Sequence, residues 1–269
     1  MYPVDGLSIP AGSIHPEQTQ HPGRKWFLII LFFLIVGTAL ALAYFYLSHA
    51  DENGVAVVRM EGTLVTGNVD DGTSIGSEVV GNELRYAADD PSYDAIVLRV
   101  DSPGGTPAAA EEIIGDLDYA KAKKPVVVSM GDIATSAAYY VSSHANRIYA
   151  DPDTLTGAVG VLWEFSDNSM WNNEQGYNFT IVKSGAFKDM GNPSGHLSAE
   201  EQAYAQQIVN ESFEQFIADV TSERPIKRSD IEDGRVIRGA EALKLNLIDE
   251  LGSLPDAIAG AKKLARERS

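Results

Sequence analysis

The sequence predicts an α/β domain of repeated βαβ units around a mainly parallel sheet, preceded by one transmembrane helix. Three observations lead there. Short β-branched runs recur at VAVVRM (55–60), AIVLRV (95–100), PVVVSM (125–130), RIYA (147–150) and FTIVKS (179–184). Helical patterns separate several of them, notably Ser74 to Asp89 and Pro107 to Lys123, as βαβ units require. The stretch from Trp26 to Leu47 carries no charged residue.

The elements follow in chain order. Residues 1–25 are mostly Pro, Gly, Ser, His and Gln with little to bury, so they form a disordered tail. Residues 26–47 rise about 33 Å as a helix at ~1.5 Å per residue, enough to cross a hydrocarbon core of ~30 Å. Trp26, Tyr44 and Tyr46 suit the two interfaces. A cleaved signal peptide has a shorter apolar region and ends in small residues, whereas this stretch ends in YFYL. It is therefore an uncleaved anchor. Arg24 and Lys25 precede it and Asp51 and Glu52 follow, which places the N-terminus in the cytoplasm and residues 53–269 outside.

The exterior domain reads as one unit. AIVLRV and PVVVSM are almost continuously apolar, as strands covered on both faces should be. Ser198 and Glu201 form a capping pattern ahead of an apolar stripe running from Ala205 to Val220. A small αβα pattern around LIDELG (247–252) closes the chain. The net charge of −17 lies beyond the anchor, because two acids balance Arg24 and Lys25 in the tail. Such a surface is a poor partner for nucleic acid or anionic lipid. With no cysteine, disulfides and thiol chemistry are excluded.

Histidine chemistry has little support. His144 and His196 are the two histidines within the exterior domain, and neither sits in a G-x-S-x-G, H-E-x-x-H or paired-ligand setting. No metal and no organic cofactor is expected. Two strand-to-helix junctions remain. In DSPGGTPAAAEEI (101–113), Gly104 and Gly105 permit a turn that aims N–H groups at one point. In GDIATSAAYYVSSHA (131–145), Ser136 begins a helix and the Ala137 N–H is free to meet an oxyanion. Taken alone, Gly-Gly is a common turn and Ser136 is as good a helix cap as a nucleophile. A serine without histidine needs another base, and a lysine serves if burial leaves part of it neutral. KSGAFKDMG (183–191) offers Lys183 and Lys188.

The ordered set DSPGG, GDIATSAAYY, TGAVGV (156–161) and KSGAFKDMG resembles the signal peptide peptidase A family, over roughly Val55 to Gly252. The resemblance implies a ClpP/crotonase-like fold and a membrane serine protease of the short, single-unit type. It assigns Ser136 as nucleophile, Lys188 as general base and Lys183 as structural. Gly105, with Gly104 beside it, and Ala137 would form the oxyanion hole. It implies a homo-oligomeric ring in which neighbours share active sites, and peptide substrates such as remnant signal peptides. Where members often have a serine that orients the lysine, this chain has Ala158; Thr156 or Ser184 could take that role. Two rival readings are a crotonase-like acyl-CoA enzyme and an inactive membrane scaffold of the same fold.

Overall fold

The computed structural model describes residues 22–49 and 54–268. Two compact units divide between Glu52 and Asn53. The first contains α1 (Pro22–His49), a helix of 28 residues. Its described side chains, at Trp26, Phe27 and 29–42, are exposed except for half-buried Val36. Thr38 satisfies its hydroxyl within the helix, donating to the carbonyls of Leu34 and Ile35. Among the described residues no helix is long and apolar enough to cross a membrane. Side chains are described without a gap only over 29–42, short of the ~20 residues a span needs. The expected disordered tail lies outside the described residues except for the helical backbone of 22–25, as do Asp51 and Glu52.

The second unit begins with β1 (Gly54–Glu61), β2 (Thr63–Val65), β3 (Ser74–Gly76), α2 (Ser77–Asp89), β4 (Tyr93–Ser102) and α3 (Pro107–Lys123). It continues through β5 (Val126–Thr135), α4 (Ala137–Ser143), β6 (Arg147–Ala150), β7 (Leu155–Gly157), α5 (Ser169–Glu174) and α6 (Ala199–Glu223). After a 3₁₀ turn at Arg228–Asp230 come β8 (Val236–Arg238), α7 (Gly239–Lys244), β9 (Glu250–Leu251) and α8 (Leu254–Arg268). The main sheet runs β1-β4-β5-β6-β9, and every one of those pairs is parallel. β7 joins β5 in parallel beyond β6, and β8 returns antiparallel to β7.

The apolar runs of β4 and β5 serve two cores by simple alternation. Ile96, Leu98, Val100, Val126, Val128 and Met130 face the larger core, which includes Val80, Leu84, Ile113 and Leu117 of α2 and α3. Ala95, Val97 and Val127 face the opposite side, where Ala257 and Ala261 of α8 cover them. Thr106 caps α3 by accepting from the Ala109 N–H, with Pro107 at the first helical position. Ser198 and Glu201 form the expected capping box of α6.

Two elements differ from expectation. Residues 74–76 do not begin α2 but pair in parallel with β2. A side chain on Gly76 would come 2.0 Å from the Gly67 carbonyl oxygen, so glycine is needed at that crossing. FTIVKS (179–184) is not a strand. Within 162–198 the only regular element is α5, and Phe179, Ile181 and Val182 are exposed, Val182 to 94%. Its β-propensity is real, but among the described residues no strand lies beside it to pair with.

Because the second unit carries its own core, a protein starting at Asn53 is expected to unfold in one cooperative transition in urea. Leu98→Ala, at a fully buried site, should lower that stability by about 2–5 kcal/mol. Loss of cooperativity on removing residues 1–52 would mean that the boundary is misplaced.

Candidate active site

The site grows from a change of partner along β5. Its first half pairs with β6, at Val127 to Ser129, and its second half with β7, at Ile133 to Thr135. Between them the register against β4 jumps, from Val100↔Met130 to Ser102↔Ala134. The bulge is held by side chains. Asp101 Oδ1 accepts from the Ile133 N–H at 3.1 Å, and Thr154 Oγ1 donates to the Gly131 carbonyl at 2.7 Å. The diversion carries β5 to a strand end beside the β4–α3 loop, where Thr135 Oγ1 donates to the Pro103 carbonyl at 3.0 Å.

Ser136 sits at that end in a conformation L-residues avoid, with φ 53° and ψ −126°. Its N–H donates to the Gly157 carbonyl at 2.9 Å, and its own carbonyl accepts from the Tyr140 N–H at 2.9 Å. It makes no side-chain cap to α4, so the capping reading of this serine fails. Strain of about 1–3 kcal/mol is characteristic of such outliers. A serine on a strained strand-to-helix turn presents its hydroxyl outward, which is the arrangement a nucleophile needs.

The glycines have distinct tasks. Gly104 has φ +102°, and a side chain there would lie 2.9 Å from Ser136 Cβ. Glycine alone lets this loop close over the serine. Leu64 of β2 then brackets the next residue. Its N–H donates to the Gly104 carbonyl at 2.9 Å and its carbonyl accepts from the Thr106 N–H at 3.0 Å. In such a parallel bridge Gly105 turns its own N–H to the other side. Ala137 is the first residue of α4, whose N–H has no intrahelical acceptor. Among the described residues neither the Gly105 nor the Ala137 N–H has a hydrogen-bond acceptor. Both residues line one groove of about 1020 Å³ with Ser136.

The lysines are not brought there. Lys188 is exposed in the turn at 184–191 and does not line the groove. Lys183 is occupied: its ammonium donates to the Ala186 carbonyl at 2.8 Å and to Asp189 at 2.5 Å. That hydrogen bond holds the Asp189 carboxyl below the usual carboxylate range. Lys188 has no ion pair among the described residues, which distinguishes the two lysines. Ala158 lines the groove, also at positive φ, 50°, with its N–H on the Arg235 carbonyl. Thr156 cannot replace the missing serine, because it is fully buried and donates to the Ala134 carbonyl at 2.8 Å. Ser184 is exposed on the lysine turn itself.

The histidines match their modest expectation. His196 is exposed and meets Asp167, and His144 ends α4 with its ring against Tyr140. No cluster of metal-binding side chains occurs among the described residues. Sequence reasoning missed Tyr140, which is buried and donates from its hydroxyl toward Glu111 of α3 and Asp219 of α6. Burial first, then those carboxylates, push its phenol pKa well up. The signal was the doubled tyrosine after Ser136, one helical turn on.

A parallel sheet with a strained serine under a Gly-Gly loop defines a serine-hydrolase type of site. The model of Peptidase family S49 matches residues 118–268, and the chain belongs to that family. Protease 4 of Salmonella typhi is 36% identical over 224 residues, 81% of this chain and 36% of its own length. The chloroplastic serine protease SPPA of Arabidopsis thaliana is 30% identical over 216 residues, 79% of this chain and 31% of its own. The chain thus spans about a third of the length of these relatives. A solved structure, a point mutant of the 1510-N membrane-bound stomatin-specific protease, superposes with a TM-score of 0.51 at 19% identity. That match covers 76% of this chain and 82% of the other, and supports the fold.

Glycine suits the Ser136 backbone, so Ser136→Gly is expected to raise stability in urea unfolding by about 0.5–2 kcal/mol, whereas Ser136→Ala should not. Equal effects from both would remove the evidence for strain.

Proposed function

We propose that this chain is a membrane-anchored serine endopeptidase working through a Ser–Lys dyad, with Ser136 as nucleophile and Lys188 as base. The observation that carries this is the strained Ser136 in one groove with the Gly105 and Ala137 N–H groups. Neutral Lys188 takes the hydroxyl proton as Ser136 attacks the peptide carbonyl. The two amides hold the oxyanion, and Lys188 returns the proton to the leaving amine.

The base comes from a neighbouring protomer. Lys188 is outside the groove of its own chain, on an exposed segment that carries Leu162, Trp163, Met170, Trp171, Phe179 and Val182 to solvent. An apolar surface of that kind is expected to be covered in an assembly, and a ring would bring each lysine to an adjacent serine. Anchoring rests on the uncharged stretch 26–47 within a 28-residue helix. With Arg24 and Lys25 inside, the peptidase unit lies outside the cell membrane. Remnant signal peptides or unfolded chains are the substrates proposed. An acyl-CoA role is disfavoured because, among the described residues, no lysine or arginine lines the groove to hold phosphates.

Ser136→Ala and Lys188→Ala should each lower peptide hydrolysis by at least ~10³-fold, while Lys183→Ala retains substantial activity. In mixed assemblies of the two dead proteins about a quarter of sites should be whole, if assembly is random. Purified mixed oligomers with no activity would place both residues in one chain; fluorophosphonate labelling of Ser136 tests the nucleophile separately.

The pH profile is a second test. A lysine base acts only after losing its proton, so kcat/KM should climb from neutral into alkaline pH. A profile flat between about pH 5 and 9 would exclude an amine base.

A further inference from the structure

The groove beside Ser136 has an electrostatic character that the hydrolytic chemistry does not use. Four carboxylates line it, from Glu111, Glu211, Glu232 and Asp233, and among the described residues no cationic side chain does. Two of the four are already neutralised. Glu232 accepts from Arg228 at 2.8 Å, and Asp233 lies 3.5 Å from Arg235. Glu111 and Glu211 are not. Among the described residues Glu111 receives only the Tyr140 hydroxyl, at 2.7 Å, and Glu211 only the Gln207 amide, at 2.8 Å.

Behind Glu111 the charge deepens. Asp219 receives the same Tyr140 hydroxyl and the Gln215 amide, and no cation among the described residues. A phenol has one proton to give, so two carboxylates around it leave net negative charge at the wall. The same groove is apolar over Val159, Val161, Val209, Phe213 and Phe216. A ligand that satisfies both halves carries a positive charge beside an apolar run.

We infer that the groove selects peptides with a lysine or arginine next to apolar residues, the cation drawn to the acidic wall that carries Glu111 and Glu211. This rests on the groove being the peptide site. It also narrows the substrate class. A signal peptide has a positively charged n-region directly before its apolar h-region, which is the pattern the wall and floor accept. The chain's net charge of −17 would draw the same ligands in from a distance.

The test uses full-length Ser136→Ala protein in non-ionic detergent, so that binding is read without cleavage. Fluorescent apolar peptides, identical but for one residue, carry lysine, norleucine or glutamate, and that residue is walked along the sequence. In one register the lysine peptide should bind about tenfold more tightly than norleucine, and glutamate more weakly. The preference should shrink as salt rises. Glu111→Gln with Glu211→Gln should remove it, and Glu111→Lys should turn it toward glutamate. If the double variant fails to fold, Glu211→Gln alone, on the exposed side of α6, should still reduce the preference about threefold. No register favouring lysine, or a preference that survives neutralisation, overturns the inference. Binding that shows the preference while the Ser136 protein cleaves none of the peptides would instead sink the protease reading and leave the cation site standing.

Discussion

The hydrogen bond from the Ser136 N–H to the Gly157 carbonyl is the constraint on which the site depends. It fixes the residue at φ 53°, and the rest of the loop architecture accommodates that one unfavourable backbone. Gly157 is available only because β5 leaves β6 and takes β7 as its partner. Gly104 must lack a side chain because Ser136 Cβ occupies its space. Gly105 must lack one because Leu64 brackets it with two backbone hydrogen bonds. The strained serine and the two N–H groups that find no acceptor among the described residues are therefore one structural event rather than three features that happen to coincide.

What could be read beforehand followed from local physics. β4 and β5 announce themselves because burial on both faces demands continuous apolar residues, and their alternate side chains do feed two cores. The caps at Thr106 and Ser198 are short-range hydrogen bonds within one turn, so the sequence carries them whole. The junction residues Gly104, Gly105, Ser136 and Ala137 were legible as backbone possibilities, but local evidence could not separate a nucleophile from a cap. The positive φ and the missing cap bond remove the cap reading, and the backbone that carries them is tied to Gly157, far along the chain.

The failures share a cause, which is partners that lie far along the chain or outside it. FTIVKS has the composition of a strand but no neighbouring edge among the described residues. Tyr140 drew no reading of its own, because the carboxylates that meet its hydroxyl come from α3 and α6, far along the chain. Thr156 was a reasonable substitute for the serine absent at Ala158, yet its hydroxyl is consumed in holding β7 to β5. That leaves the lysine to be oriented by groups other than these two side chains.

The acidic wall and the proposed base then oppose each other, and magnitudes show how that can be resolved. A carboxylate ~8 Å from an amine favours its charged form by about 2 kcal/mol at an effective dielectric of ~20. Glu111 and Glu211 would thus tend to keep an entering amine protonated and idle. Removing water acts in the other direction, by several kcal/mol for a well-buried ammonium. Catalysis on this scheme requires the second effect to exceed the first. The segment that bears Lys188 also exposes Trp163, Phe179, Ile181, Val182 and Phe187, and these side chains are the material for excluding water. Their burial in an assembly would do more than hold protomers together. It would set the amine in a dry setting where its neutral form can compete, and it would leave the carboxylates to a substrate cation rather than to the base.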